Sequence, residues 1–149
     1  MKIAVGSDDA GYPLKELVKR YLLELGHEVE DFGAHDERPT LYPDVAFAVG
    51  GEVAAGRFSR AILVCGTGIG MAICANKVPG VRAAQAHDTY SAERARKSND
   101  AQVLALGARV VGAELAKSIV KAWLESEFEP ARSGPKVDRI REYEKRSKG

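Results

Sequence analysis

The run Cys65-Gly66-Thr67-Gly68-Ile69-Gly70 puts a thiol immediately before three glycines and Thr67. With no side chains at 66, 68 and 70, backbone N–H groups can close around an anion. The apolar run Ala61–Val64 precedes this loop and a helical pattern follows it. The loop therefore opens on a helix N-terminus, which adds free donors and the positive end of a dipole. That field favours a thiolate at Cys65, which could act as a nucleophile or a base. A lone cysteine is otherwise most often a small buried hydrophobe. The glycine loop is what separates Cys65 from Cys74, which lacks such a context and is expected in the core. The spacing is not G-x-G-x-x-G and the loop follows the third apolar run rather than the first, so a dinucleotide site is disfavoured.

Other chemical groups also follow apolar runs. Asp8 and Asp9 come after the first, where they could cap the next helix or accept hydrogen bonds from sugar hydroxyls. His87 follows the fourth and is a candidate proton carrier. Arg109 follows the fifth; an isolated arginine is usually a surface charge, but here it could hold phosphate. Arg132 and Lys136, four apart beside glycine and proline, are better phosphate candidates as a pair.

These groups need a scaffold that gathers strand ends. Ile3–Val5, Glu28–Phe32, Ala61–Val64, Val81–Ala86 and Gln102–Leu106 read as short strands. Helical periodicity lies between and after them, over Pro13–Leu25, Pro43–Ala55, Gly70–Lys77, Thr89–Lys97 and Ala113–Leu124. Leu14, Leu17, Val18, Tyr21, Leu22 and Leu25 mark the buried stripe of the first helix, and Gly26 fits its C-terminal cap. A last solvated helix is predicted over 137–148, after an irregular stretch at 129–135. Strand–helix alternation predicts an α/β fold, a parallel sheet with helices on both faces. Ligands then bind beyond the carboxyl ends of the strands.

The 149 residues fit one domain, 1–149. With 22 Lys and Arg against 21 Asp and Glu, the net charge is +1. No global attraction to nucleic acid or to a membrane surface is expected. No apolar run reaches the roughly 20 residues that span a bilayer. The two cysteines form no C-x-x-C pair and no zinc spacing. No metal or cofactor, free thiols and a cytoplasmic setting are expected.

The sequence resembles the ribose-5-phosphate isomerase B type and the galactose-6-phosphate isomerase subunits. The resemblance rests on Gly6-Ser7-Asp8-x-Ala10-Gly11, Tyr42-Pro43, the 65–70 loop, Ala75-Asn76-Lys77-x-Pro79-Gly80-x-Arg82, Tyr90-Ser91-Ala92, Asn99-Asp100, Leu106–Gly112 and Arg132. It implies a Rossmann-like three-layer sandwich around a five-stranded sheet. It also implies a homodimer, or a pair of dimers, with shared sites to which the last helix contributes, and metal-free isomerisation of a phosphorylated sugar. Cys65 would take the C2 proton, and Thr67 would help move hydroxyl protons. Gly66, Gly68, Ile69 and Gly70 would hold the oxyanion, at typically about 3–4 kcal/mol per donor. Asp8, Tyr42 and Asn99 would hold the sugar, and Arg109, Arg132 and Lys136 the phosphate.

Two positions depart from the family pattern. Asp9 and Ser98 stand where the family usually has histidine, and the histidine at 98 opens a furanose ring. Serine has no pKa near 7 with which to replace it. Either His87 takes that proton, or the substrate needs no ring opening. Ribose 5-phosphate and ribulose 5-phosphate are the expected pair. A tetrose 4-phosphate, whose O4 is esterified and which cannot close a furanose, is the alternative. A non-catalytic sugar-phosphate-binding module is the reading from another class.

Overall fold

A strand buried on both sides needs apolar residues at every position, because its successive side chains point to opposite faces. The central strands of the chain meet that demand except at their ends, where Arg60 and Ser7 are buried polar residues. In the computed structural model, which describes residues 1–147, five strands form one parallel sheet in the order β2-β1-β3-β5-β4. They are β1 (Lys2–Ser7), β2 (Glu28–Asp31), β3 (Arg60–Cys65), β4 (Ala83–Gln85) and β5 (Val103–Gly107). Every residue of β3 and β5 is buried. The more polar β2 and the short β4 sit at the edges.

Six helices accompany the sheet: α1 (Tyr12–Glu24), α2 (Tyr42–Ala54), α3 (Ile69–Asn76), α4 (Thr89–Lys97), α5 (Ala113–Leu124) and α6 (Pro130–Ser147). One core face joins Ile3, Val5, Ile62, Val64, Leu104 and Leu106 to α1, α4 and α5. The other joins Ala4, Ala61, Leu63, Cys65, Val103 and Ala105 to α2 and α3. The alternation along each strand divides the two, and the result is the expected three-layer sandwich. Cys65 faces the α2–α3 side, and Cys74 packs into the same core.

Three local expectations change. Leu25 is exposed, because α1 ends at Glu24 and Leu25 is its cap; Gly26 follows with φ +89° and turns the chain back. Neither Asp8 nor Asp9 caps α1, whose N-cap is Gly11 without a side-chain bond. Helix α6 begins at Pro130, not at 137. Pro130 sits in the first turn, where its missing N–H costs nothing. The Glu129 carbonyl accepts the N–H groups of Arg132 and Ser133 and starts the helix. Pro135 lies inside it and withholds one bond without ending it. The 129–135 stretch is thus mostly helical, and Arg132 and Lys136 stand one turn apart. Residue 148 of the expected helix lies outside the described residues.

Candidate active site

Parallel pairing fixes which residues share an edge. Ser7 lies opposite Val64, and Cys65 opposite Gly107. The turns that follow β1, β3 and β5 therefore meet at one end of the sheet. They line a cavity of about 380 Å³ with Asp8, Ala10, Tyr42, Cys65, Gly66, Thr67, Ile69, Gly70, Ile73 and Arg109. Such a volume suits a small ligand.

The Cys65 sulfur is buried at the base of this cavity. The Gly68 N–H donates to Sγ at 3.1 Å, an interaction that strengthens with negative charge on sulfur. Gly68 can aim that N–H because its φ is +80°, a conformation that side chains resist. It is Gly68 that caps α3, so the helix dipole ends at the thiol. The Thr67 carbonyl accepts from Gln85 Nε2 at 2.8 Å, and its hydroxyl accepts the Ile69 N–H at 3.2 Å. The loop is thus tied from within and from β4.

Tyr42 starts α2 and its ring packs against Gly70, where an added Cβ would come within 2.4 Å of the ring. The Arg109 guanidinium lies over Gly66. Asp8 accepts the Gly11 N–H at 2.8 Å. Burial is the main cause that raises its carboxyl above the ordinary value; the Asp9 charge adds to it, while the Gly11 N–H and Arg109 oppose it. Asp9 does not line the cavity, since its carboxylate accepts the Thr40 N–H at 3.0 Å and anchors the 33–40 loop. The same loop is held from α1 by the buried Lys15 ammonium, which donates to Asp31 and to the Ala34 carbonyl.

His87 stands just before Asp88, which caps α4 through the Ser91 N–H. Its Nε2 accepts the Gly107 N–H at 2.9 Å, which leaves the proton on Nδ1 in the neutral ring. Burial lowers its pKa below the ordinary 6.5, with Asp88 opposing. The folded state thus prefers neutral His87, and the stabilisation is present above pH 6.5 and lost as the pH falls through the lowered folded pKa. His87→Ala should cost about 1–3 kcal/mol at pH 7.5 by orphaning the Gly107 N–H. In urea melts, that deficit against the wild-type chain should narrow at pH 5; an equal deficit at both pH values would contradict the bond.

The remaining expected residues gather elsewhere. Ser98, Asn99, Arg132 and Lys136 line a second cavity of about 460 Å³ between α4 and α6, together with Tyr90, Arg94 and Ile140. Ser98 is the cap residue of α4, and its Oγ accepts from Arg94 Nε at 2.9 Å and Nη2 at 2.6 Å. The three phosphate candidates are split, with Arg109 beside Cys65 and the other two in this second cavity. Arg94 escapes a sequence reading because it looks like one more charge on a solvated helix. Among the described residues, no group of three or more His, Cys, Asp or Glu could hold a metal ion. Among the same residues, no helix is long and apolar enough to cross a membrane.

Comparison with known proteins places this geometry. A family model described as Ribose/Galactose Isomerase matches residues 3–140. The chain is 54% identical to a D-erythrulose-4-phosphate isomerase of Pectobacterium atrosepticum, over 99% of this chain and 98% of that one. It is 50% identical to a ribose-5-P isomerase B of Listeria innocua, over 99% of this chain and all of that one (100%). A solved ribose-5-phosphate isomerase B of Clostridium thermocellum superposes with a TM-score of 0.97 at 47% identity, covering 99% of each chain. The fold agrees with these likenesses, and the chain belongs to the ribose/galactose isomerase family of sugar-phosphate isomerases.

Proposed function

We propose that the chain interconverts a phosphorylated aldose and its ketose through an enediolate, with Cys65 as the base. The observation that carries this reading is the buried Cys65 sulfur beneath a small cavity, with the Gly68 N–H directed at it. The Cys65 thiolate takes the proton from C2 of the aldose. The electron pair moves into the C1–C2 bond, and the carbonyl oxygen O1 becomes an oxyanion, which free loop N–H groups and the α3 dipole stabilise. The O2 proton passes to O1, helped by the Thr67 hydroxyl. The thiol then returns its proton to C1, which leaves a ketone at C2. Asp8, with its raised pKa, and Tyr42 hold the sugar, and Arg109 lies within reach of an anionic end. No step calls for a metal.

The sugar best supported is a tetrose 4-phosphate, as in erythrulose 4-phosphate and erythrose 4-phosphate. Neither side chain considered for ring opening is placed for it: Ser98 has no group that titrates near 7 and its Oγ accepts from Arg94, and His87, tied through Nε2 to the Gly107 N–H, lines neither the Cys65 cavity nor the second one. A tetrose 4-phosphate needs no such step. Ribose 5-phosphate is the second reading, supported by the likeness to the Listeria and Clostridium isomerases. A substrate panel tests both. The tetrose reading expects kcat/KM for erythrulose 4-phosphate at least about a hundredfold above that for ribulose 5-phosphate, about 2.7 kcal/mol in transition-state binding. Ribulose 5-phosphate turned over equally well or better would replace it with the pentose.

The active unit we propose is a homodimer in which one copy supplies the Cys65 cavity and the other the 98–99 and 132–136 groups. Within one chain these line separate cavities. Exposed apolar side chains flank both: Leu41, Phe47, Ile69 and Ile73 near the first, and Tyr90, Ile140 and Tyr143 near the second. Such a surface suits a partner better than water. In this arrangement α6 forms part of the dimer contact. The reducing cytoplasm suits its two free cysteines.

A further inference from the structure

Arg94 lines the cavity of Arg132 and Lys136, and its side chain is only 25% exposed. Two of its donors, on Nε and Nη2, converge on a single acceptor, Ser98 Oγ. These two bonds turn one edge of the guanidinium toward Ser98 and leave the other edge free to face the cavity. Arginine carries five N–H donors, so three remain. The nearest carboxylate, on Glu129, stands 3.6 Å from Nη2, and that side chain is 47% exposed. A planar cation with a fixed orientation and spare donors, sharing a cavity with two further cations, is arranged for a multidentate anion.

We propose that Arg94 is a further ligand of the substrate phosphate, beside Arg132 and Lys136 in the second cavity, and that Ser98 is its positioning residue. The inference rests on the sugar-phosphate reading of the site. It gives residue 98 a task in this chain: its oxygen orients a cation rather than serving the sugar ring. Arg94 sits at the Ser98–Asn99 end of the cavity, apart from the α6 cations in sequence and on a different helix. It therefore widens the range of phosphate positions that the cavity can hold.

The test is a calorimetric titration of the full-length chain with inorganic phosphate, which needs no turnover. Arg94→Met should weaken phosphate binding about tenfold or more, and Arg94→Lys less, because a point charge keeps the attraction without the fork. Ser98→Ala should weaken it a few-fold, since the guanidinium keeps its charge and loses its anchor. In the isomerase assay, Arg94→Met should raise KM about tenfold with kcat within about threefold. Phosphate affinity within twofold of wild type in a folded Arg94→Met, or in Ser98→Ala and Arg94→Lys together should Arg94→Met not fold, would overturn the proposal. Failure of the isomerase reading shows separately, as absence of turnover in the wild-type chain.

Discussion

Cys65→Ala should lower kcat by about 10³–10⁴ or more while leaving KM for the phosphorylated sugar within a few-fold. A positioned base is typically worth about 10²–10⁴ in rate. The residue also shapes the oxyanion loop, since the Gly68 N–H loses its acceptor when the sulfur goes. Ground-state binding should survive because Asp8, Tyr42 and Arg109 do not depend on the thiol for their places. The fold should survive as well. The side chain is 5% exposed, and removing one buried sulfur opens a small cavity at about 1–2 kcal/mol. For a chain of this size that is a few degrees in Tm. Steady-state kinetics together with a thermal melt check both halves. Loss of activity accompanied by loss of folding would leave the rate effect without its assigned cause, and Cys65→Ser then separates the two by keeping the side-chain volume.

Gly68→Ala should be nearly as damaging to activity and far more damaging to stability. At φ +80° a Cβ is strained by about 1–2 kcal/mol. The same Cβ would stand 2.9 Å from the Leu106 carbonyl carbon and 3.1 Å from its oxygen, both backbone atoms of the central sheet. Relief requires the loop to move, at about 1–3 kcal/mol more. Moving it swings the Gly68 N–H away from Sγ and disturbs the first turn of α3, the two features that support charge at the site. The expected result is a loss of about 2–5 kcal/mol in unfolding free energy, and a drop of about 10²–10³ in kcat, the size of effect that loss of one preorganised donor to a charged group at a reacting centre has. Unchanged kcat in a destabilised but folded Gly68→Ala would show that the loop N–H groups do not serve the reaction.

Much of the scaffold was legible because its signals are local. The strands β1, β3 and β5 are apolar at nearly every position, and α4 and α5 carry their own periodicity. The 65–70 loop announced itself through alternating glycines after a strand. The misses came from non-local or ambiguous signals. The stretch 129–135, with its two prolines, reads as irregular, yet Pro130 occupies a first turn and Pro135 is tolerated inside α6. Asp9 looked like a sugar ligand, but its partner is Thr40, thirty-one positions along the chain, and no local pattern reveals that bond. Arg94 sits in Thr89–Lys97, where basic residues are expected on a solvated face. Only the placement of α6 beside α4 turns it into a member of a cationic cavity. Separation of the Cys65 half from the 98–136 half was likewise invisible, because it depends on where two distant loops end on the finished sheet.

The central claim is that the Cys65 thiolate removes the C2 proton. It is tested most directly by following that proton by NMR in deuterated water, with the phosphorylated aldose as substrate. The wild-type chain should carry solvent deuterium into C1 of the ketose and C2 of the aldose, at the rate set by exchange of the Cys65 thiol proton with solvent before its return to carbon. Cys65→Ala, folded and still binding the sugar phosphate, should incorporate deuterium no faster than about one-thousandth of that rate. Exchange by the alanine variant at the wild-type rate would contradict the account and place the base elsewhere.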